Sequence, residues 1–175
     1  MKQLSRIFLL SLTLFSGSVI NAQQDKSKRA SPPATVSRTL KSGATISINY
    51  SRPSLKGRTI GKDVEPMNGK VWRMGANEAT VFETDKEVKI EGQTLPPGKY
   101  SLFGIKDKND FTLIFNKAWN IWGTNYENNK NQDALRVNVK TNNLKKSQEL
   151  LTYTIDKNGT VNLAWGYLGI NFKVR

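Results

Sequence analysis

The feature that most constrains this chain is apolar residues recurring at every second position, in short runs separated by turn-forming residues. Leu135, Val137 and Val139 alternate with Arg136, Asn138 and Lys140, and Leu151, Tyr153 and Ile155 with Thr152, Thr154 and Asp156. Val161, Leu163 and Trp165 repeat the pattern, as do Ile170, Phe172 and Val174. Nearer the start, Ile46, Ile48 and Tyr50 alternate with Ser47 and Asn49, and Val88 and Ile90 flank Lys89. A period of two sends successive side chains to opposite faces, so each run reads as a strand with one apolar and one wet face. A helix needs apolar residues three and four apart, and no stretch sustains that spacing. Residues 126–134 and 142–148 are expected to form one or two helical turns at most.

Two middle runs differ. Tyr100, Leu102, Phe103 and Ile105, and likewise Phe111 to Phe115, place apolar groups on both faces, which predicts two central strands covered on both sides. Turn chemistry punctuates the chain. Leu95-Pro96-Pro97-Gly98 fixes a reversal, 106–110 is polar enough for a hairpin loop, and Asp156-Lys157-Asn158-Gly159 supplies residues that tolerate the left-handed region. That turn also explains Asn158-Gly159-Thr160, which matches a glycosylation sequon. About nine to ten short strands at this spacing predict an all-β, antiparallel β-sandwich or jelly-roll-like domain with little helix.

The domain is expected to span 34–175. Residues 1–22 read as a secretory signal peptide: Lys2 and Arg6 precede a mostly apolar stretch from Ile7 to Ile20, and Ala22 offers a small residue for cleavage. That stretch is about 14 residues, against the roughly 20 that span a bilayer, so no transmembrane segment is expected in the mature chain. Residues 23–33 are polar, end in Ser31-Pro32-Pro33, and read as a flexible spacer. An exported protein follows from this address.

Composition then narrows the chemistry. The chain has no histidine and no cysteine. A Ser-His-Asp triad, a cysteine nucleophile, an imidazole or thiolate zinc site and a disulfide are all excluded. No phosphate loop, dinucleotide fingerprint or Gly-x-Ser-x-Gly elbow is present, so no cofactor is expected. Glu83, Asp85, Glu87 and Glu91 lack a calcium-loop pattern, and no metal site is assigned to them. Lys and Arg outnumber Asp and Glu by 27 to 14. The excess is spread along the chain without a nucleic-acid motif, which favours a solvated basic surface over specific nucleic-acid binding.

The densest cluster of recognition chemistry is Lys70 to Thr80 together with Ser51 to Arg58. An indole at Trp72, guanidiniums at Arg52, Arg58 and Arg73, and polar groups at Asn77, Glu78 and Thr80 suit a small polar or glycan-like ligand. The same residues suit a structural corner in which Arg73 or Arg58 pairs with Glu78 and Trp72 fills the sandwich edge. Glu78 is also the candidate acid or base of a glycan hydrolase, which would need a second carboxylate from Asp63, Glu65 or Asp133. Trp119, Trp122 and Gly123 offer either a sugar-stacking surface or sheet-edge packing.

The ordered set Ser31-Pro32-Pro33-Ala34, Tyr50-Ser51-Arg52-Pro53, Lys56-Gly57-Arg58, Val71-Trp72-Arg73, Gly75-Ala76-Asn77-Glu78-Ala79-Thr80, Leu95-Pro96-Pro97-Gly98-Lys99-Tyr100-Ser101-Leu102, Phe115-Asn116 and Trp122-Gly123 resembles the domain of unknown function 2911 family. Leu163-Ala164-Trp165 before the last strand resembles its ending, while Met74 stands where the family pattern suggests a small polar residue. The resemblance implies a secreted, single-domain, predominantly β protein of Bacteroidetes-type bacteria and an envelope location. It also implies that Arg52, Arg58, Trp72, Arg73, Asn77, Glu78 and Thr80 act as a group, without choosing between pocket and corner. Three functions stay open: binding of a small polar or glycan-like ligand or an envelope protein, carboxylate-based hydrolysis through Glu78, and a structural or accessory envelope role.

Overall fold

A computed structural model describes residues 25–175; the expected signal segment lies outside the described residues. Among the described residues ten strands form, and they pair antiparallel. They are β1 (Pro33–Thr39), β2 (Thr45–Ser51), β3 (Val71–Trp72), β4 (Thr80–Thr84), β5 (Val88–Ile90), β6 (Gln93–Leu95), β7 (Gly98–Asp107), β8 (Asp110–Asn116), β9 (Asp133–Ile155) and β10 (Thr160–Lys173). The main sheet runs β1-β2-β4-β7-β8-β9-β10, with β3 paired to β7, while β5 and β6 form a separate hairpin. The sheet curls into a half-barrel, a sandwich-like all-β fold.

Alternation sets the inner face. Ile48 lies opposite Phe82 and Phe82 opposite Tyr100, while Leu102 lies opposite Phe115 and Phe115 opposite Leu135, so two apolar rows, two residues apart on β7, share one face of the sheet. The expected two-sided burial of β7 and β8 is met by two clusters. Leu102, Phe111, Leu113 and Phe115 join the main core, and Phe103 and Ile114 point the other way, into a small cluster with Ala79 and Tyr126. At Gly104 the inner face admits no side chain, because a Cβ there would stand 2.1 Å from the Phe111 ring.

The late strands depart from the expectation of separate short segments. Leu135–Val139 and Leu151–Ile155 belong to one strand, β9, and Val161–Trp165 and Ile170–Val174 to one arm built on β10. The stretch 142–148, expected as a helical turn, is part of β9. Its polar residues sit opposite Gly166, Leu168 and Gly169 of β10, where pairing gains its free energy from the backbone ladder rather than from an apolar face. The buried positions of β10 change from odd to even numbers across Gly166, and the register with β9 shifts on both sides of this residue. A bulge does this: an extra residue bends the strand and turns the next side chains over. Residues 126–134 match expectation more closely, with a 3-10 helix at Glu127–Gln132.

Bending lets the far half of the β9–β10 hairpin close over the open face. Leu151, Tyr153, Ile155, Val161, Leu163 and Trp165 enter the same core as β2, β4 and β8. Arg38 Nε donates to Ile155 O at 2.7 Å, and Tyr153 N–H donates to the Tyr50 hydroxyl at 3.1 Å, fixing the β1–β2 edge against β9. Among the described residues no helix is long and apolar enough to cross a membrane.

Candidate functional site

The segment between β3 and β4 leaves the core, turns outward and returns within seven residues. Trp72, only 2% exposed, stacks on Trp165 at 6.0 Å between centroids and meets Phe111 edge-on at 6.5 Å. Its faces belong to the core. Met74 is fully buried, yet its backbone lies in the left-handed region at φ +52°. A non-glycine residue there costs about 1–2 kcal/mol. Side-chain burial offsets this, and the Met74 carbonyl accepts hydrogen bonds from Thr80 Oγ1 at 3.1 Å and Tyr153 Oη at 2.9 Å. A small polar residue would suit that backbone better but would leave the core underfilled.

Gly75 packs against Thr80 and the backbone of Ser51, leaving no room for a Cβ. Asn77 accepts the second left-handed position at φ +59°, which asparagine tolerates, and donates from Nδ2 to Ser31 O at 3.1 Å. The return strand is clamped by a short ladder. Ala79 N–H donates to Ile121 O, Gly123 N–H donates to Asn77 O, and Glu78 faces Trp122 directly across the pair.

The seven residues singled out in the sequence do not converge on one concavity. Arg52 donates to Leu151 O and Thr152 Oγ1, tying the end of β2 to β9. Arg58 donates to Leu55 O and Ser54 O within its own loop, on the edge of a separate cleft of about 560 Å³ beside Tyr167. Thr80 and Asn77 hold backbone groups of the corner. Neither Arg73 nor Arg58 pairs with Glu78. Its carboxylate is gripped instead by Arg29 Nη1, at 2.9 and 3.0 Å to the two oxygens, and by Lys26 Nζ at 3.0 Å.

Arg73 remains, and its position is unusual. Its stem crosses Gly123 so closely that a Cβ on Gly123 would stand 1.9 Å from Arg73 Cδ. The side chain borders a cavity of about 700 Å³ lined by Glu65, Lys70, Trp72, Thr124, Tyr126 and Glu127, among others. Among the described residues its guanidinium makes no hydrogen bond or ion pair, and the buried Nε is without a partner. Burial pushes this guanidinium below the ordinary arginine value, opposed by the negative charge of Glu65. It stays charged at neutral pH. At the cavity wall Tyr126 donates to Asp133 Oδ2 at 2.9 Å, and burial together with that carboxylate pushes the phenol up to about 12. Tyr126 therefore remains a neutral hydroxyl held by an ionic pair beneath it.

A family match covers residues 31–174. The chain belongs to DUF2911, a family of proteins of unknown function. The corner, the Arg73 cavity and the Glu78 ladder all lie inside the DUF2911 region, whereas Lys26 and Arg29 precede it. No curated protein and no solved structure matches the chain.

Sequence reasoning missed Tyr126, Lys26 and Arg29 as partners of the cluster. Gly123 carried a readable signal, because a glycine beside an aromatic in a turn marks close approach of another group.

Proposed function

We propose that this DUF2911 protein is an exported, non-catalytic binding module of the periplasm or envelope, and that its cavity holds a small hydroxylated acid of the uronic acid type through Arg73. The observation that carries the proposal is the half-buried Arg73 side chain, which makes no hydrogen bond or ion pair among the described residues and borders a 700 Å³ cavity. A charged donor left without a partner costs about 1–3 kcal/mol, which an acceptor arriving through the cavity would recover. A carboxylate matches the planar fork in two parallel bonds. Glu65, Glu127 and Thr124 offer acceptors for sugar hydroxyls. The leader-like segment 1–22 supports the exported address.

Hydrolysis through Glu78 is less well supported. The recess around Glu78 is lined by Lys26, Arg29, Trp119, Ile121 and others, with no second carboxylate. Burial pushes the Glu78 carboxyl up, but its own backbone N–H, Arg29 and Lys26 outweigh burial and hold it at about 2. A group so acidic is a poor general acid and a weak base near neutrality. A structural reading accounts for Arg52, Trp72, Asn77 and Thr80, which build the corner that aims Arg73; it does not account for Arg73 itself.

Titration calorimetry with glucuronate, glucose and acetate tests the proposal. Glucuronate should bind, with glucose and acetate at least about tenfold weaker, because each lacks one half of the recognition. Arg73→Lys keeps the charge and most of the stem but loses the fork, and should weaken glucuronate about tenfold or more without unfolding the domain. No heat from any probe at millimolar concentration, or equal affinity of wild type and Arg73→Lys, would overturn it.

A further inference from the structure

A second site lies on the other side of the Asn77–Gly123 ladder. Glu78 and Trp122 are directly opposed across an antiparallel pair, so their side chains rise from the same face. Trp119, whose ring already carries Lys99 Nζ 5.0 Å from its centroid, borders the recess that holds Glu78, and both indoles are partly open, at 42% for Trp119 and 48% for Trp122. A carboxylate beside exposed aromatic rings is the chemistry that receives an ammonium or guanidinium group, through an ion pair and through the negative ring faces. The chain already fills this recess with its own cations. Residues Lys26–Lys28 form one turn of 3-10 helix, and from it Lys26 and Arg29 reach the same carboxylate.

The strap is weakly fastened. The turn buries none of its residues, and its hold on the domain before Ser31 is ionic. Such partly exposed pairs contribute about 0–1 kcal/mol each. Firm anchoring begins only at Ser31 and Pro32, whose carbonyls accept from Asn77 Nδ2 and Arg52 N–H. The carboxylate and its ladder lie within the family region, and the cations that occupy them lie before it.

We infer that the Glu78–Trp119–Trp122 recess is a docking socket for a dibasic peptide segment, that residues 25–30 fill it in cis, and that a basic tail on another envelope protein competes for it. The spacing it reads is a Lys followed three residues later by an Arg, as in Lys26 and Arg29. Docking in trans would release the strap and leave residues before Ser31 free to extend. This socket is independent of the Arg73 cavity, and either assignment can fail without the other.

The test uses the whole chain and a fluorescein-labelled peptide of residues 25–32, followed by anisotropy at about 50 mM salt, where surface attraction is little screened. The protein carries a net charge of +13, which opposes non-specific attraction of a basic peptide, and Glu78→Gln separates binding at this socket from binding at other carboxylates. Lys26→Ala/Arg29→Ala empties the recess while leaving Glu78 in place. This variant should bind the peptide at least about tenfold tighter than wild type, and adding Glu78→Gln should remove that gain. Equal binding by wild type and the double variant, binding that survives Glu78→Gln, or no binding by the double variant up to millimolar protein would overturn the inference.

Discussion

Arg73 lies across Gly123 with no space for even a methyl group between them, and this contact sets a guanidinium whose buried Nε has no partner beside its cavity. Gly123 has no need of a left-handed backbone; its absent side chain is what matters. Gly123→Ala should therefore lift Arg73 from its bed. Overpacking of this kind costs about 1–3 kcal/mol, readable as a lower urea midpoint. Glucuronate binding should fall by about tenfold or more in protein that is still folded. Unchanged binding would mean that Arg73 is not positioned by this contact.

Trp72 stacks on Trp165 in the core, but the two partners are not equivalent. Trp165 Nε1 is buried without a hydrogen-bond partner. Trp165→Phe removes that orphan donor along with part of the ring, so the two effects oppose each other. Trp72→Ala leaves a cavity and should cost about 3–5 kcal/mol, while Trp165→Phe should cost under about 2 kcal/mol. Chemical denaturation followed by circular dichroism distinguishes the two.

The carbonyl of Met74 is shared by two hydroxyls, which predicts non-additivity. Thr80→Val or Tyr153→Phe alone leaves one donor in place and should cost about 0.5–1.5 kcal/mol. Together they strand a buried carbonyl in a strained turn. The double variant should exceed the sum of the singles by about 1 kcal/mol in a double-mutant cycle.

Docking of the strap depends on ionised Glu78, whose carboxyl is held at about 2 against an ordinary 4.5. A lowered pKa in the docked form means that docking is at full strength above about pH 4.5 and is lost as pH falls toward about 2. Fluorescence of the exposed Trp119 and Trp122 should report release in that window. Glu78→Gln should already show the released signal at neutral pH, with no further change on acidification.

Apolar alternation and turn residues disclosed the strand content, the two-sided burial of β7 and β8, and the hairpins at 106–110 and 156–159, because period and turn chemistry are local properties. They did not disclose that Leu135–Val139 and Leu151–Ile155 share one strand, since the polar link at 142–148 pairs through its backbone and carries no periodic mark. In the candidate site, the motif named the residues but not their duties. Arg52, Arg58, Arg73 and Glu78 are all charged and near one another in sequence, yet hydrogen bonds to β9, to a loop, to nothing and to a distant strap separate their roles. The sequence by itself determined an antiparallel β fold without disulfides or imidazole chemistry, because those depend on residue type and spacing. Only the tertiary structure decided which guanidinium is left without a partner and which carboxylate is already occupied, because partnership depends on chain segments that meet only when the sheet curls closed.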